Sequence, residues 1–363
     1  RRCDPRWFSR PVHSAALPRL LATTGSKHKL YNTGRATQLP WVGMKAITVT
    51  NPDNPRSLEL TEIAMPEIES GEVLVKVAAA GVNRADLVQA EGKYPPPRGE
   101  SEIIGLECTG TIVDAGDTGR QVGEEVACLL AGGGYAEYVA VPEGQLMSIP
   151  KGLTLTEAAA VVEVATTVWS NLGMLAGVRE GQRVLIHGGS GGIGSFAIQL
   201  CKALGAEVAV TAGSNAKLDY CRELGADILV NYREEDFVDK LHGSCDVILD
   251  VVGGPYLEDN IKSLATDGKL IVIAVQGGPK GELSLGRMMP RRLSVHATTL
   301  RARPREMKAE ICRSTEEHVW PLIESGAIKH QLTKVFPLAD ATLAHDHLDS
   351  GSATGKLVLV VDE

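Results

Sequence analysis

The sequence predicts an α/β protein: a doubly wound parallel sheet with helices on both faces, preceded by a β-rich portion. Three observations carry that expectation. Residues 183–187 form a short apolar strand that runs into a glycine turn at 188–194 and straight on into a helix. Strand-like and helix-like segments then alternate as far as Val275, which calls for a parallel sheet covered on both faces. Before Thr154 the pattern is different, with short strands between Gly- and Pro-rich turns at the spacing of a small barrel or sandwich.

Taken in order from Met44, residues 45–50 and 58–63 read as strands around an Asn-Pro-Asp-Asn-Pro turn. Residues 72–78 form a stronger strand that Gly81 ends, and 83–87 a helical turn. In Gly92-Lys93-Tyr94-Pro95-Pro96-Pro97 the prolines exclude a helix interior or a central strand, so this is a stiff loop holding Tyr94 in place. Short strands follow at 108–115, 125–130 and 134–141. At Thr154 the character changes: 155–175 is Ala-rich with helical periodicity, and Thr154 with Glu157 makes a capping box. The alternation then places strands at 183–187, 207–211, 227–230, 246–252 and 269–275. Helices fall between them at 193–204, 216–224, 236–241 and 256–264. Gly205 and Gly225 stand just past two helices, where a left-handed residue ends a helix. More helix follows from Arg303, and 356–361 is a closing strand able to return to the first domain.

A chain of 363 residues suits one large or two medium domains with real cores. With 44% apolar and 23% charged residues, the composition is that of a soluble globular protein. No apolar run approaches the length of a bilayer span, the longest (158–169) being broken by Glu163. Seven scattered cysteines without C-x-x-C argue for free thiols in a reducing compartment, against a disulfide framework or a zinc knuckle. Residues 1–43 carry eight Lys/Arg and one acid, whereas the rest carries 29 basic and 44 acidic residues. An acidic body is a poor nucleic-acid binder. The basic, acid-poor start has transit-peptide composition. It also fits an upstream sequence ahead of a natural start at Met44, the reading preferred, and either way it is set aside as a disordered extension. The expected location is cytoplasmic, or mitochondrial or plastid if the segment is a true transit peptide.

Gly189, Gly191 and Gly194 fit G-x-G-x-x-G, the dinucleotide fingerprint of Rossmann domains. The glycines permit a sharp turn, close approach of a pyrophosphate, and packing of the helix on the strand. The free N–H groups of the first helical turn then face the phosphates. About 20 residues on, such folds carry the acid that binds the ribose 2′-OH of NAD. Here the window reads Val210-Thr211-Ala212-Gly213-Ser214, without an acid. Ser214 offers a hydroxyl, Lys217 a cation, and Tyr232 follows the next strand. These groups would receive a 2′-phosphate, so NADPH is expected rather than NADH. The alternative, that Ser214 caps a helix and Lys217 is solvated, stays open.

From Met44 onward the chain resembles the zinc-independent quinone oxidoreductases, the zeta-crystallin-like branch of the medium-chain dehydrogenase/reductases. The matching stretches are Gly81-Val-Asn-Arg-Ala-Asp86, Gly92-Lys-Tyr-Pro-Pro-Pro97, Gly105-Leu-Glu107, the run from His187 to Gly194, Asn231-Tyr-Arg-Glu-Glu-Asp236 and Gly355-Lys-Leu-Val-Leu359. The resemblance implies a GroES-like substrate domain at 44–165, a Rossmann NADPH-binding domain at 166–302, and a segment 303–363 that returns to the first. It also implies a cofactor in the cleft between the domains and a homodimer. Zinc relatives place a Cys where Asn83 stands and a His where Leu106 stands, and carry a four-cysteine loop that is missing here, so no metal is expected. By the same matching, Tyr94 and Asn83 lie on the substrate side and Thr167 near the nicotinamide ribose. Ser190, Gly191, Gly192 and Ile193 would hold the pyrophosphate, and Ile273 and Val275 would line the nicotinamide. Some relatives carry at Gly191 a serine that touches the cofactor. Tyr94 would hydrogen-bond the acceptor oxygen or donate a proton through water; the alternative is an aromatic cap on the proline loop.

Without a Lewis acid, the reaction must be one that hydride transfer drives unaided, such as reduction of a quinone or an activated C=C. The expected function is therefore NADPH-dependent quinone reduction. The alternatives are an NADPH-dependent enoyl or 2-alkenal reductase, and an NADPH-binding structural or RNA-binding protein with vestigial catalysis. His187 reads as a framework histidine. The basic run Arg287, Arg291, Arg292, Arg301, Arg303, Arg305 and Lys308 reads as a solvated face or subunit interface before it reads as an RNA contact.

Overall fold

A computed structural model describes residues 43–361 apart from 52, 55 and 56. Apart from Gly43, the expected N-terminal extension lies outside the described residues, as do the two prolines of the turn at 51–55. The first strands, β1 (Met44–Val49) and β2 (Leu58–Ile63), pair antiparallel with each other. Next come β3 (Glu72–Val82), α1 (Arg84–Ala90), β4 (Glu107–Asp114), β5 (Glu125–Leu129), β6 (Tyr138–Pro142) and β7 (Leu146–Ser148). Two helices, α2 (Leu155–Ala158) and α3 (Val162–Val168), lead into a wider π-helical segment at Trp169–Ala176.

The alternating part holds β8 (Arg183–His187), α4 (Gly192–Ala203), β9 (Glu207–Ala212), α5 (Asn215–Glu223), β10 (Ile228–Asn231) and α6 (Phe237–Leu241). It continues with β11 (Cys245–Asp250), α7 (Leu257–Ser263), β12 (Leu264–Val272), α8 (Leu285–Met288) and β13 (Ser294–Ala297). The chain closes through α9 (Arg305–His318), α10 (Trp320–Glu324), β14 (Leu332–Pro337), α11 (Ala341–Asp349) and β15 (Lys356–Val360).

Strands β8 to β13 form one sheet in the order β10-β9-β8-β11-β12-β13, with every pair parallel. Side chains along β8 alternate between two cores, as the period of two requires. Val184 and Ile186 pack with Phe196 and Leu200 of α4, while Leu185 packs with Phe237, Leu241 and Ile261 from the opposite helical layer. Burial on both faces is why these strands read as continuous apolar runs. The other large sheet runs β14-β15-β3-β4-β5-β7, with β6 also on β3. In it β15 lies antiparallel to β3, so the C-terminal strand does return to the first half.

Several expectations need correction. The strand at 72–78 does not end at Gly81 but runs to Val82, because Gly81 serves close approach rather than a stop. A Cβ there would lie 2.1 Å from Glu107 Oε1 and 2.6 Å from the Ala159 carbonyl oxygen. The helix expected at 155–175 starts on its capping box, Thr154 N–H donating to Glu157 and Glu157 N–H to Thr154 Oγ1, but is interrupted after Ala158. Residues 155–176 are also long and apolar enough to cross a membrane, contrary to the sequence reading; 78% of their most apolar stretch is buried within the fold, where they act as core. The strand expected at 269–275 begins at Leu264 and stops at Val272. Strands β13 and β14 carried no signal, since one is a short half-buried edge and the other is mostly exposed. The six cysteines among the described residues are buried and unpaired.

Candidate active-site cleft

Strand β8 delivers the chain to the C-terminal edge of the parallel sheet beside β11, where successive crossovers leave to opposite sides. In open α/β sheets that crevice is the ligand site. Gly188 turns the chain with φ +72°. A Cβ on Gly189 would lie 2.9 Å from Val210 Cβ, and one on Gly194 2.3 Å from Gly188 O, so both glycines are required by packing. At Gly191 a Cβ would meet only Gly188 O, at 3.6 Å, leaving room for a side chain. Helix α4 opens at Gly192, and the N–H groups of Gly192, Ile193 and Gly194 precede any helical acceptor. They face a groove lined by Ser190, Gly213, Lys217 and Tyr232 on this side and by Asn83 and Lys356 on the other.

His187 supports the turn from beneath. Asn260 donates through Nδ2 to Asp250 Oδ2 (3.0 Å), so its Oδ1 accepts from His187 Nε2 at 2.7 Å. His187 Nδ1 then accepts from Thr211 Oγ1 at 3.0 Å. Burial lowers the His187 pKa, and the neutral ring is a framework group, as its sequence context suggests.

At the end of β9, residues 212–214 hold no acid. Ser214 caps α5, accepting from Lys217 N–H at 3.4 Å, which leaves its own O–H free to donate. The Lys217 ammonium reaches across to the Gly351 carbonyl at 2.5 Å. A Cβ on Gly213 would lie 2.6 Å from the Tyr232 hydroxyl and 3.4 Å from Arg233 Nε, so the missing side chain leaves a cradle between them. Arg233 is a second cation that the sequence reading passed over, although it follows Tyr232 directly.

The opposite wall is a buried charge cluster. Lys356, 3% exposed, donates to Glu107 Oε1 (2.6 Å), Asn83 Oδ1 (2.7 Å) and Val82 O (3.2 Å). Asn83 Nδ2 donates to the same Glu107 oxygen at 2.8 Å, and Glu107 Oε2 accepts from Glu163 N–H at 2.7 Å. Asn83, expected on the substrate side, thus has both ends of its amide engaged by this ion pair. Lys356 was not singled out beforehand, though it and Glu107 both lie in stretches that carry the family resemblance.

Thr167 donates to Glu163 Oε1 at 2.6 Å, and its carbonyl accepts from Asn171 Nδ2 at 2.8 Å. Burial raises the Glu163 carboxyl above the usual Glu range, with Lys356 opposing and Glu107 adding to the rise. Asn171 Oδ1 accepts from Thr298 Oγ1 (2.7 Å), and Thr299 Oγ1 lies 3.0 Å from the Tyr94 hydroxyl. The adjacent residues 298 and 299 thus link, through Asn171, the Thr167 carbonyl to the Tyr94 hydroxyl. The Tyr94 ring lies under Arg301, whose guanidinium carbon is 4.9 Å from the ring centroid. Arg301, 4% exposed, also donates to the carbonyls of Tyr94 (2.9 Å) and Ala131 (2.7 Å) and to Gln89 Oε1 (2.7 Å). Ile273 packs on the main core and Val275 is half exposed beside Gly253; Val251 and Gln276 line the groove there.

The basic run divides among separate partners. Arg291 bonds the Leu264 and Ile261 carbonyls, Arg292 pairs with Asp267 and Arg305 with Glu72, while Arg301 and Lys308 are buried. Among the described residues no three His, Cys, Asp or Glu side chains gather as a metal-ligand set.

Fold and cleft define a medium-chain dehydrogenase/reductase: the chain belongs to that superfamily and is an oxidoreductase of its type. Residues 69–151 match the alcohol dehydrogenase GroES-like domain and residues 192–316 the zinc-binding dehydrogenase family. Phthioceranic/hydroxyphthioceranic acid synthase of Mycobacterium tuberculosis is 30% identical over 329 residues, 88% of this chain. The chain spans only 15% of that relative's length. The NADPH complex of Escherichia coli quinone oxidoreductase is 25% identical, with a TM-score of 0.76 over 88% of this chain and 99% of that one. CurK enoyl reductase gives the same identity, coverage and TM-score.

Proposed function

We propose that the protein binds NADPH in this cleft and reduces a quinone by metal-free hydride transfer. The observation that carries the cofactor assignment is the cradle at the end of β9, where Gly213, Lys217, Tyr232 and Arg233 surround a space with no acid beside it. Gly192, Ile193 and Gly194 would hold the pyrophosphate by their free N–H groups. When bound, the nicotinamide supplies a hydride. The chain orients the acceptor and excludes water, with Tyr94 held by Arg301 and Thr299 at the acceptor side. The metal-free reading rests on donor chemistry, since Asn83 and Leu106 replace a Cys and a His and the Asn83 amide is tied to Lys356 and Glu107. A homodimer belongs to the same reading, supported by the open edge of β13 and the nearby exposed Leu285 and Met289.

A second reading, reduction of an enoyl or 2-alkenal C=C, is supported equally, by the likeness to CurK enoyl reductase. Both acceptors delocalise the charge that arrives with the hydride, and both suit the same residues. NADPH consumption against 1,4-benzoquinone, 9,10-phenanthrenequinone and a 2-alkenal, with NADH in parallel, decides between them. Quinone turnover with NADPH preferred supports the first reading, and alkenal turnover alone supports the second. NADPH binding without any turnover refutes both.

A further inference from the structure

We propose that Thr167 and Glu163 form the proton-delivering pair of the cleft: the Thr167 hydroxyl protonates the reduced acceptor, and the Glu163 carboxyl replaces that proton. The proposal rests on the hydride-transfer reading above. Reduction of a quinone or an enone adds a hydride and leaves an oxyanion or enolate, so one proton must follow. A bond forms between that anion and the Thr167 hydrogen as the Thr167 O–H breaks. The Glu163 O–H breaks to restore the hydroxyl, and a solvent proton restores Glu163.

The geometry selects this pair. Residues 163 and 167 stand one turn apart on the same face of α3, and Val164, next to Glu163 in the chain, lines the groove. Glu163 Oε1 and Thr167 Oγ1 are 2.6 Å apart, within reach for proton transfer; a carboxylate there accepts the Thr167 hydrogen, whereas the protonated carboxyl donates across the same contact and releases that hydrogen for the acceptor. The neighbouring Lys356 is the obvious competitor, but its three N–H donors have three acceptors in Val82 O, Asn83 Oδ1 and Glu107 Oε1, leaving none for a substrate. Asp86 lies fully buried behind the wall, bonded to Tyr135 and to the Asn83 N–H. Glu163 is only half-buried, so solvent reaches it. The charged groups facing it are Lys356 from β15, which favours the carboxylate, and Glu107 from β4, which favours the acid; burial outweighs both in the direction of the acid. The Glu107 bond to the Glu163 N–H fixes the start of this turn, so the carboxyl has a defined place from which to act.

The test is Glu163→Gln, which keeps the volume and still accepts from Thr167, together with Thr167→Val and Thr167→Ser. Each is assayed from pH 5 to 9 with NADPH and whichever acceptor the unaltered protein reduces. Glu163→Gln and Thr167→Val should each lower kcat about a hundred-fold, with acceptor KM and NADPH Kd unchanged in Glu163→Gln, and Thr167→Ser should retain most of the rate. The fall in kcat with rising pH should vanish in Glu163→Gln. Infrared titration of the cofactor-free protein should show a protonated carboxyl persisting above the ordinary Glu range and absent from Glu163→Gln. Wild-type kcat and pH profile in Glu163→Gln, or no such carboxyl band, overturns the proposal alone. A protein inert towards every acceptor overturns the function itself, and this proposal with it.

Discussion

Removing the Lys217 ammonium tests the cofactor assignment at a single atom. Among the described residues its bond is to Gly351 O at 2.5 Å, which leaves two N–H donors for a phosphate in the cradle beside Gly213. A hydrogen bond to a charged group contributes roughly 1.5–3 kcal/mol. Lys217→Ala should therefore weaken NADPH binding about ten- to a hundred-fold, at 1.4 kcal/mol per factor of ten. NADH has no 2′-phosphate and should change little. The lysine also ties α5 to the segment at 350–355, whose Gly355 N–H donates to Ser190 O at 3.0 Å beside the glycine turn. Loss of that tie affects both cofactors alike, so the difference between the two losses isolates the phosphate. Fluorescence titration of NADPH and NADH at two ionic strengths measures it, and the difference should shrink as salt rises. Lys217→Arg should recover most of the affinity. Equal losses for the two cofactors would refute the reasoning and leave Lys217 as a loop anchor.

Two further predictions concern the buried polar groups around the cleft. Arg301→Met leaves the Tyr94 and Ala131 carbonyls and Gln89 Oε1 without their donor and should cost about 3–5 kcal/mol, read as a lower thermal midpoint. Arg301→Lys keeps the charge but not the planar fork, so kcat should fall with NADPH Kd unchanged; an unaltered kcat would separate Arg301 from Tyr94's function. The Tyr135 hydroxyl lies 3.1 Å from Asp86 Oδ2 and 3.2 Å from His345 Nε2, and burial pushes Asp86 up to about 7 and His345 down to about 4. The neutral His345 contributes stability that is complete above its ordinary 6.5 and lost as pH falls towards 4, about 3 kcal/mol in all. Protonated Asp86 contributes in the other direction, fully below 3.8 and with loss as pH rises through 7, about 4 kcal/mol. Urea unfolding from pH 4 to 8 should show Asp86→Asn without the alkaline loss and His345→Gln without the acid loss; variants that parallel the parent curve would contradict the assignment.

The sequence by itself determined the parallel-sheet half. Its strands are buried on both faces and so read as apolar runs, and Gly205 (φ +79°) and Gly225 (φ +106°) end their helices where expected. The glycine turn and the Thr154/Glu157 capping box were legible for the same reason: both are settled by residues within a few positions of one another. Only the tertiary structure decided what meets across the cleft. Whether Gly81 ends a strand or admits Glu107 depends on a partner 26 positions away. Asn83 lines the groove, but that Lys356, 273 residues on, holds one end of its amide was set by topology. Arg301 looked like one member of a basic run, yet it reaches back 207 residues to hold Tyr94. Glu163 registered only as a break in an apolar stretch. Local pattern carries backbone preference and burial, whereas the partner of a buried charge is chosen by topology. The desolvation cost of leaving such a charge unpaired then makes the choice binding.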